Sequence, residues 1–363
     1  MLLDVIKKRS SLPHARAALE RGTLNIGFIG GSITESRDFY RSYSDHVSNG
    51  IAAHFPDARI IFQNAGIGGT MSTLGAFRVK KDIIDPGCDL VFVEYAVNDF
   101  ELESGLRMET REGLLRQLLE NDHCDVVFVY TYVQTMYEDM VINKMPESIA
   151  DFEKLAEYYN ISSVWMGLHA MNKVREGVLR WEEWLPDGLH PNVGGSRFYA
   201  EPVLDFIIKE LESDDKTSFT FKVPMTEKPW DSTNISIIPL EDINWKNPWK
   251  LRRLTHRAGH EQFLDTSAIG AELEIPFEGT GIFIGLITGL TSAYFDYRID
   301  GGEWQSHEFE YFDWMLENNW YQTVLLANKL PFGEHTLKIR TKHANVPMAQ
   351  GTRTDIALVG VLK

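Results

Sequence analysis

Four short stretches of this chain carry side chains that could act together. The first, "NIGFIGGSITES" (25–36), runs as an apolar strand into two glycines and a serine, Ser32. The second, "NAGIGGT" (64–70), closes another strand-like run with Gly66, Gly68 and Gly69. The third, "YAVNDF" (95–100), delivers Asn98 and Asp99. The fourth, "LPDGLHPN" (185–192), lies far downstream and supplies Asp187 and His190, three residues apart. A serine hydroxyl is a poor nucleophile until a base takes its proton. His190 can be that base, and Asp187 can hold the imidazole Nδ1–H and stabilise the imidazolium. Pro191 keeps His190 away from helical geometry, which puts the ring on a loop. The oxyanion formed on attack then needs donors. The candidates are the backbone N–H of Ser32, the backbone N–H of Gly69 and the side-chain amide of Asn98. A glycine lets the backbone approach a substrate with no Cβ in the way. The chemistry implied is acyl transfer to Ser32 followed by hydrolysis, which needs no metal or organic cofactor.

Each fragment has a plainer reading when taken alone. Gly-Gly-Ser could be a turn or a phosphate cradle, yet neither GxGxxG nor GxxxxGK[ST] occurs in the chain. The "DGLHPN" stretch could be a surface turn, and Asn98 a turn residue. Their joint occurrence, the first three each behind its own strand, is what points to catalysis. His14, His46, His54, His123 and His169 read as ordinary surface or core histidines.

The elements that must position these residues alternate. Short runs rich in Val, Ile and Phe predict strands over 25–29, 59–64, 89–95, 125–131 and 161–168. Helical patterns fall between and after them, over 40–54, 71–81, 107–120, 146–159, 169–180 and 195–211. Such alternation implies a parallel sheet covered on both faces. In an open parallel sheet, sites gather outside the carboxyl ends of the strands. The pattern changes after "ESDDKTS". Short alternating runs such as "AELEIPF", "GIFIGLIT" and "HTLKIRT", separated by turns such as "DGGEW" and "PFGEH", predict an all-β sandwich or jelly roll. The expected division is an α/β domain over 1–212, a linker over 213–225 and a β domain over 226–363.

Ser32, Gly69, Asn98 and His190, in that order behind those strands, resemble the four blocks of the SGNH (GDSL-like) hydrolases. The resemblance covers about the first 212 residues. It implies a flavodoxin-like three-layer α/β/α fold and a serine esterase with Ser32, Asp187 and His190 as the triad. It also implies Ser32, Gly69 and Asn98 as the oxyanion hole. Gly69 is preferred over Gly66 and Gly68 because it stands five residues after Asn64, as the family's second block suggests. The family's GDS appears here as Gly-Gly-Ser and its GxND as Ala96-Val97-Asn98-Asp99, and neither change removes a catalytic atom. The motif "GGSIT" resembles the sugar-directed members more than the lipases. The stretch "FEGTGIFIGL…FDYRIDGGEW…LPFGEHTLKI" looks like the galactose-binding-like jelly roll of carbohydrate-binding module family 35. An α/β domain of this family followed by such a module is similar to bacterial carbohydrate O-acetylesterases, with carbohydrate esterase family 17, which deacetylates mannan oligosaccharides, as the nearest match. The implied substrate is an acetylated, mannan-derived oligosaccharide. A longer acyl chain, as in the lipases and thioesterases of the family, and an acetylated xylan are the alternatives.

Composition narrows the partners. Lys and Arg total 36 against 52 Asp and Glu, a net charge of −16 that disfavours nucleic acid and anionic membranes and weakly favours a neutral substrate. Neither a secretory signal nor an apolar run of bilayer length is apparent, so a cytoplasmic protein is expected. No CxxC or HExxH motif occurs, so no metal is expected. Cys88 and Cys124 precede apolar runs of similar shape. They are expected at the starts of neighbouring strands and, by default, as free thiols.

Two aromatic groups remain. Trp181 and Trp184 flank two glutamates just before the Asp-His turn, where they either anchor a loop or offer one ring to a sugar. Tyr311, Trp314 and Trp320 belong to "FEYFDWMLENNW", too dense for strand alternation and therefore a packed loop or a ligand surface. All five are kept as candidate substrate contacts.

Overall fold

A computed structural model describes residues 3–35, 42–120, 122–253, 262–312, 315, 319–346 and 349–363. The chain forms two units, Met1–Asp231 and Ser232–Lys363.

The first unit is built on a six-stranded sheet. Its strands are β1 (Ile6–Lys7), β2 (Thr23–Gly30), β3 (Arg59–Gly66), β4 (Leu90–Glu94), β5 (Asp125–Val129) and β6 (Ser162–Val164), in the order β1-β6-β5-β4-β2-β3. β2 to β6 run parallel, and β1 is antiparallel to β6. β4 and β5 are buried at every position, which explains their unbroken apolar sequences: helices cover both faces. Phe28 on β2 stacks on Phe92 of β4 at 4.7 Å, and both rings are fully buried. Each such ring contributes about 1.5–3 kcal/mol.

Nine helices fill the connections among the described residues of this unit: α1 (Pro13–Glu20), α2 (Tyr43–His54), α3 (Ser72–Val79), α4 (Ser104–Leu119), α5 (Tyr137–Val141), α6 (Glu147–Tyr159), α7 (Met166–Arg175), α8 (Trp181–Trp184) and α9 (Val193–Leu211). α1, α2 and α7 pack with α9, whereas α3, α4 and α6 form the other layer. Local chemistry sets several boundaries. The Asp45 carboxylate accepts the Ser42 N–H at 2.9 Å where α2 begins. Asn160 closes α6 in the left-handed conformation, φ 60°. The Asn192 side chain accepts the Gly195 N–H at 2.8 Å where α9 begins.

Two expectations need correction, and two elements stand ahead of those expected. The strand expected over 161–168 is only three residues long, because the chain turns into α7 at Met166 and buries Met166, Leu168, Ala170 and Met171 as a helix. β1 and α1 precede the first expected strand. The division between units also falls later than the sequence placed it. The expected linker stays with the first unit, since Thr217 O accepts the Ser11 N–H, Thr220 N–H donates to Tyr159 O, and Trp230 N–H donates to Glu109 O. Trp230 lies so close to Gly113 that a Cβ there would meet its carbonyl carbon at 2.2 Å.

Cys88 and Cys124 stand just before the adjacent strands β4 and β5, buried and free.

The second unit is an antiparallel jelly-roll-type sandwich. Its strands are β7 (Ile235–Ile237), β8 (Lys250–Arg253), β9 (Gln262–Thr266), β10 (Glu272–Gly279), β11 (Gly281–Thr288), β12 (Tyr294–Ile299), β13 (Gln305–His307), β14 (Trp320–Ala327), β15 (Gly333–Lys342), β16 (Ala344–Val346), β17 (Ala349–Gly351) and β18 (Thr354–Leu362). One sheet runs β10-β15-β12-β13 and the other β14-β11-β18-β9-β8, with β7 beside β18. β10 alternates strictly, burying Leu273, Ile275 and Phe277 and exposing the residues between. These three join Ile284, Leu337 and Val359 in a single core.

Candidate active site

The order β3-β2-β4 makes the carboxyl end of β2 a topological switch point, because the chain runs from β2 to β3 on one side and then from β3 back across to β4 on the other. Sites of open α/β sheets form in that crevice, and Ser32 lies there, just beyond β2. Gly30 and Gly31 are required by close packing. A Cβ at Gly30 would lie 2.5 Å from the Glu94 carbonyl oxygen, and one at Gly31 would lie 1.9 Å from Asn98 Oδ1. Bare glycine thus lets the Asn98 carboxamide rest against the peptide that precedes Ser32. Beyond Ser32 the chain turns as a helix would, with Thr34 N–H and Glu35 N–H donating to Gly31 O at 3.2 and 3.0 Å.

His190 Nε2 lies 2.8 Å from Ser32 Oγ, and His190 Nδ1 lies 2.7 Å from Asp187 Oδ2. An ionised carboxylate can only accept, so Nδ1 carries the proton and Nε2 is the acceptor for the serine hydroxyl. The loop holds Asp187 from its own backbone: Leu189 N–H and His190 N–H donate to Asp187 Oδ1 at 2.9 and 2.6 Å. Partial burial works against ionisation, but the His190 N–H, the imidazole and the Leu189 N–H outweigh it and hold the carboxyl below its usual range. Gly188 takes φ +81°, the left-handed turn that lets the loop fold back on Asp187.

The β3 turn adds the glycines. Gly66 N–H donates to Asn64 Oδ1 at 2.8 Å, and Gly68 N–H donates to Glu35 Oε2 at 3.1 Å. Gly69 takes φ +72°. Asn64 Nδ2 donates to Thr34 O at 2.8 Å, tying this turn to the one that bears Ser32.

Asn98 is set from below. Its neighbour Asp99 is fully buried, accepting the Ser72 N–H at 2.9 Å and pairing with Arg111 Nε at 2.7 Å. Arg111 is equally buried. Its other nitrogens reach Ser148 O, Ser148 Oγ and Tyr95 O, and its guanidinium lies 3.8 Å above the Phe152 ring centre. Asn98 Oδ1 is buried without a hydrogen-bond partner among the described residues. Beneath the serine turn lies a second buried acid, Glu94, which accepts from Thr131 Oγ1 at 2.7 Å and Thr34 Oγ1 at 3.3 Å. Burial pushes its carboxyl up to about 7, against the two threonine hydrogen bonds.

The cavity in front of Ser32 holds about 440 Å³ and is lined by Glu35, Ser42, Asp187, His190 and Asn192 among others. The structure therefore brings Ser32, Asp187 and His190 together and stations Asn98 beside the serine turn. The two tryptophans separate. Trp184 is fully buried, packed between Tyr132 and Tyr199, and is a loop anchor with no face for a ligand. Trp181 is half-buried and lines a neighbouring cavity. In the second unit, Tyr311 Oη donates to Ser292 O at 3.0 Å, and Trp320 opens β14. Trp314 lies outside the described residues. Sequence reasoning missed Glu35, Glu94 and Arg111; of these only Glu35 carried a signal, three residues after Ser32 in the same motif. Among the described residues, no group of three or more His, Cys, Asp or Glu side chains could hold a metal ion.

Residues 28–198 match the GDSL-like Lipase/Acylhydrolase family. Among solved structures, a two-domain esterase active on acetylated mannans superposes with a TM-score of 0.84 at 22% identity, covering 99% of this chain and 97% of its own. The same esterase co-crystallised with mannopentaose gives a TM-score of 0.81 at 22% identity, covering 99% of this chain and 96% of its own. No curated protein matches the chain. The first unit carries a GDSL-like lipase/acylhydrolase domain, and the two-unit fold is that of the esterase.

Proposed function

We propose that this chain hydrolyses O-acetyl esters of neutral oligosaccharides, those derived from mannan foremost, with Ser32 as nucleophile. The observation that carries the reading is the continuous hydrogen-bonded line from Ser32 Oγ through His190 to Asp187. His190 Nε2 takes the serine proton as Oγ attacks the acetyl carbonyl carbon. The imidazolium, steadied by Asp187, gives that proton to the departing sugar oxygen, and the acyl-enzyme remains. Water, deprotonated by His190, attacks the same carbon; acetate leaves and Ser32 regains its proton.

The oxyanion is assigned to the N–H groups of Ser32 and Gly69 and the amide of Asn98. Support for Gly69 comes from its place five residues after Asn64, in the turn beyond β3, where it takes φ +72°. Support for a short acyl group and a hydroxylated alcohol comes from the cavity wall, which presents the polar side chains of Glu35, Ser42 and Asn192, a lining better matched to sugar hydroxyls than to a long alkyl chain. The two-domain esterase named above acts on acetylated mannans, and it matches this chain in both units. The antiparallel unit is assigned to carbohydrate binding within the same proposal.

Acetate release from acetylated mannan, xylan and pectin, measured side by side, tests the substrate. Mannan is expected to give the highest kcat/KM. A p-nitrophenyl ester series tests the acyl group, with acetate expected to lead. A maximum at hexanoate or longer would overturn the assignment in favour of a lipase-like or thioesterase-like enzyme.

A further inference from the structure

Pro186 and Asp187 form a wall with a cavity on each side. One cavity holds Ser32 and His190. The other, of about 620 Å³, is bounded by Tyr132, Gln134, Tyr137, Glu138, Trp181 and Gly188. Its size falls within the roughly 300–1,000 Å³ of small-molecule sites. The serine chemistry uses none of these six residues.

The rings of this second cavity form a continuous array. Tyr137 meets Trp181 edge-on with centroids 5.8 Å apart, Trp181 stacks on Trp184 at 5.2 Å, and Trp184 lies 4.9 Å from Tyr132. The inner two rings are buried, while Tyr137 is 43% exposed. A fixed inner pair thus holds Trp181 in one plane at the cavity wall, a preorganised aromatic face that costs little entropy on binding. Gln134 and Glu138 stand exposed at the same cavity. Aromatic faces beside an exposed carboxamide and carboxylate match a pyranose, which has C–H groups on its faces and hydroxyls around its rim. An alkyl chain would leave those polar groups unpaired. An anionic ligand would face Glu138 and a chain of net charge −16.

The second cavity is also coupled to the first. Gln134 N–H donates to Gly188 O at 3.2 Å, and a Cβ at Gly188 would lie 2.9 Å from Gln134 Oε1. The floor of the second cavity and the loop bearing Asp187 and His190 are therefore fixed to each other. We propose that this cavity is a subsite for the sugar unit next to the acetylated one, with Trp181 and Tyr137 as its stacking faces. The proposal rests on the acetylesterase reading of the first cavity. Binding at the subsite sets the acetyl carbonyl in front of Ser32, so part of its energy appears in kcat.

Tyr137→Ala tests this with little risk to the fold, because the residue is exposed and lies outside the buried core. Its kcat/KM for an acetylated mannotriose is expected to fall about tenfold further than its kcat/KM for p-nitrophenyl acetate. An acetylated monosaccharide, too short to reach the subsite, should follow the aryl ester. Trp181→Ala, checked for an unchanged melting profile, should widen the gap. Equal losses on trisaccharide and aryl acetate, or none on either, would overturn the subsite. A loss greatest on p-nitrophenyl hexanoate would make the cavity an acyl pocket and overturn it as well. If the wild type cleaves aryl acetate but releases no acetate from any oligosaccharide, the acetylesterase reading fails separately. The subsite is then judged by titrating Ser32→Ala protein with unacetylated mannopentaose. Weaker binding on adding Tyr137→Ala supports the subsite, and unchanged binding overturns it.

Discussion

The site has two halves built on opposite principles. The half around Ser32 and Asn98 sits on strand ends and is held from beneath by long-range buried contacts. Asn98 rests on Gly31, Asp99 is locked by Arg111 and the Ser72 N–H, and Glu94 lies under the turn. The half bearing Asp187 and His190 is a largely exposed loop held by its own next neighbours, two backbone N–H groups on one carboxylate oxygen and a left-handed glycine. The difference follows from what each half must resist. Under the proposed reaction the Asn98 amide would meet a transient negative charge and has to be preorganised, which a buried lattice supplies. A proton shuttle needs one hydrogen-bonded line, and a short loop can hold that by itself.

Substitutions in each half should separate the two principles. The largest effect belongs to Ser32→Ala, where the halves meet: acetate release should fall about 10⁵-fold or more with the melting temperature preserved. Appreciable turnover by the purified variant would remove Ser32 from its role. In the loop half, Asp187→Asn should cost about 10³–10⁴-fold in kcat with little change in stability, since the imidazole loses its carboxylate while the core is untouched. A large fall in denaturation midpoint would show that the loop is not self-supporting. In the lattice half, Arg111→Ala should behave the opposite way, destabilising the domain by about 3–5 kcal/mol because Asp99 is left charged and unpaired in the interior. Urea unfolding measures this, and a loss below 1 kcal/mol would mean that water or rearrangement satisfies Asp99.

Asn98→Ala sharpens the comparison further. Losing an oxyanion donor should lower kcat by about 10²–10³ with KM nearly constant. A rise in KM alone would make Asn98 a substrate contact instead. The smallest effect is expected at Glu94. Its carboxyl is pushed up from 4.5 to about 7 in the fold, so the folded state favours the protonated form. That contribution to stability is complete below about pH 4.5 and is lost as pH rises through about 7. Glu94→Gln imitates the neutral form, and its melting temperature should gain on the wild type by roughly 5–10 °C between pH 5 and pH 8. Parallel melting curves across that range would show that Glu94 does not titrate there.

The sequence by itself determined the features that depend on near neighbours. The alternation of apolar runs and amphipathic stretches gave the parallel sheet, because faces are set by periods of 2 and 3.6 residues. Asp187 and His190 could be paired on paper because the turn that joins them is made by the residues between and beside them. Ser32 and Asn98 stood out because they end strands whose carboxyl edges must share a crevice. Tertiary structure alone decided the rest. Nothing local marks Arg111 as the partner of Asp99, since the contact arises only when α4 packs over the end of β4. Trp181 and Trp184 are equivalent in sequence, yet one lies fully buried between Tyr132 and Tyr199 and the other faces a cavity. The polar segment 213–225 resembles a linker, but the Arg116 side chain of α4, the backbone at the end of α6 and the chain before α1 fix where it runs. Which faces meet, and which ring is left open, depends on packing summed over residues far apart in the chain, and no period within the sequence encodes that sum.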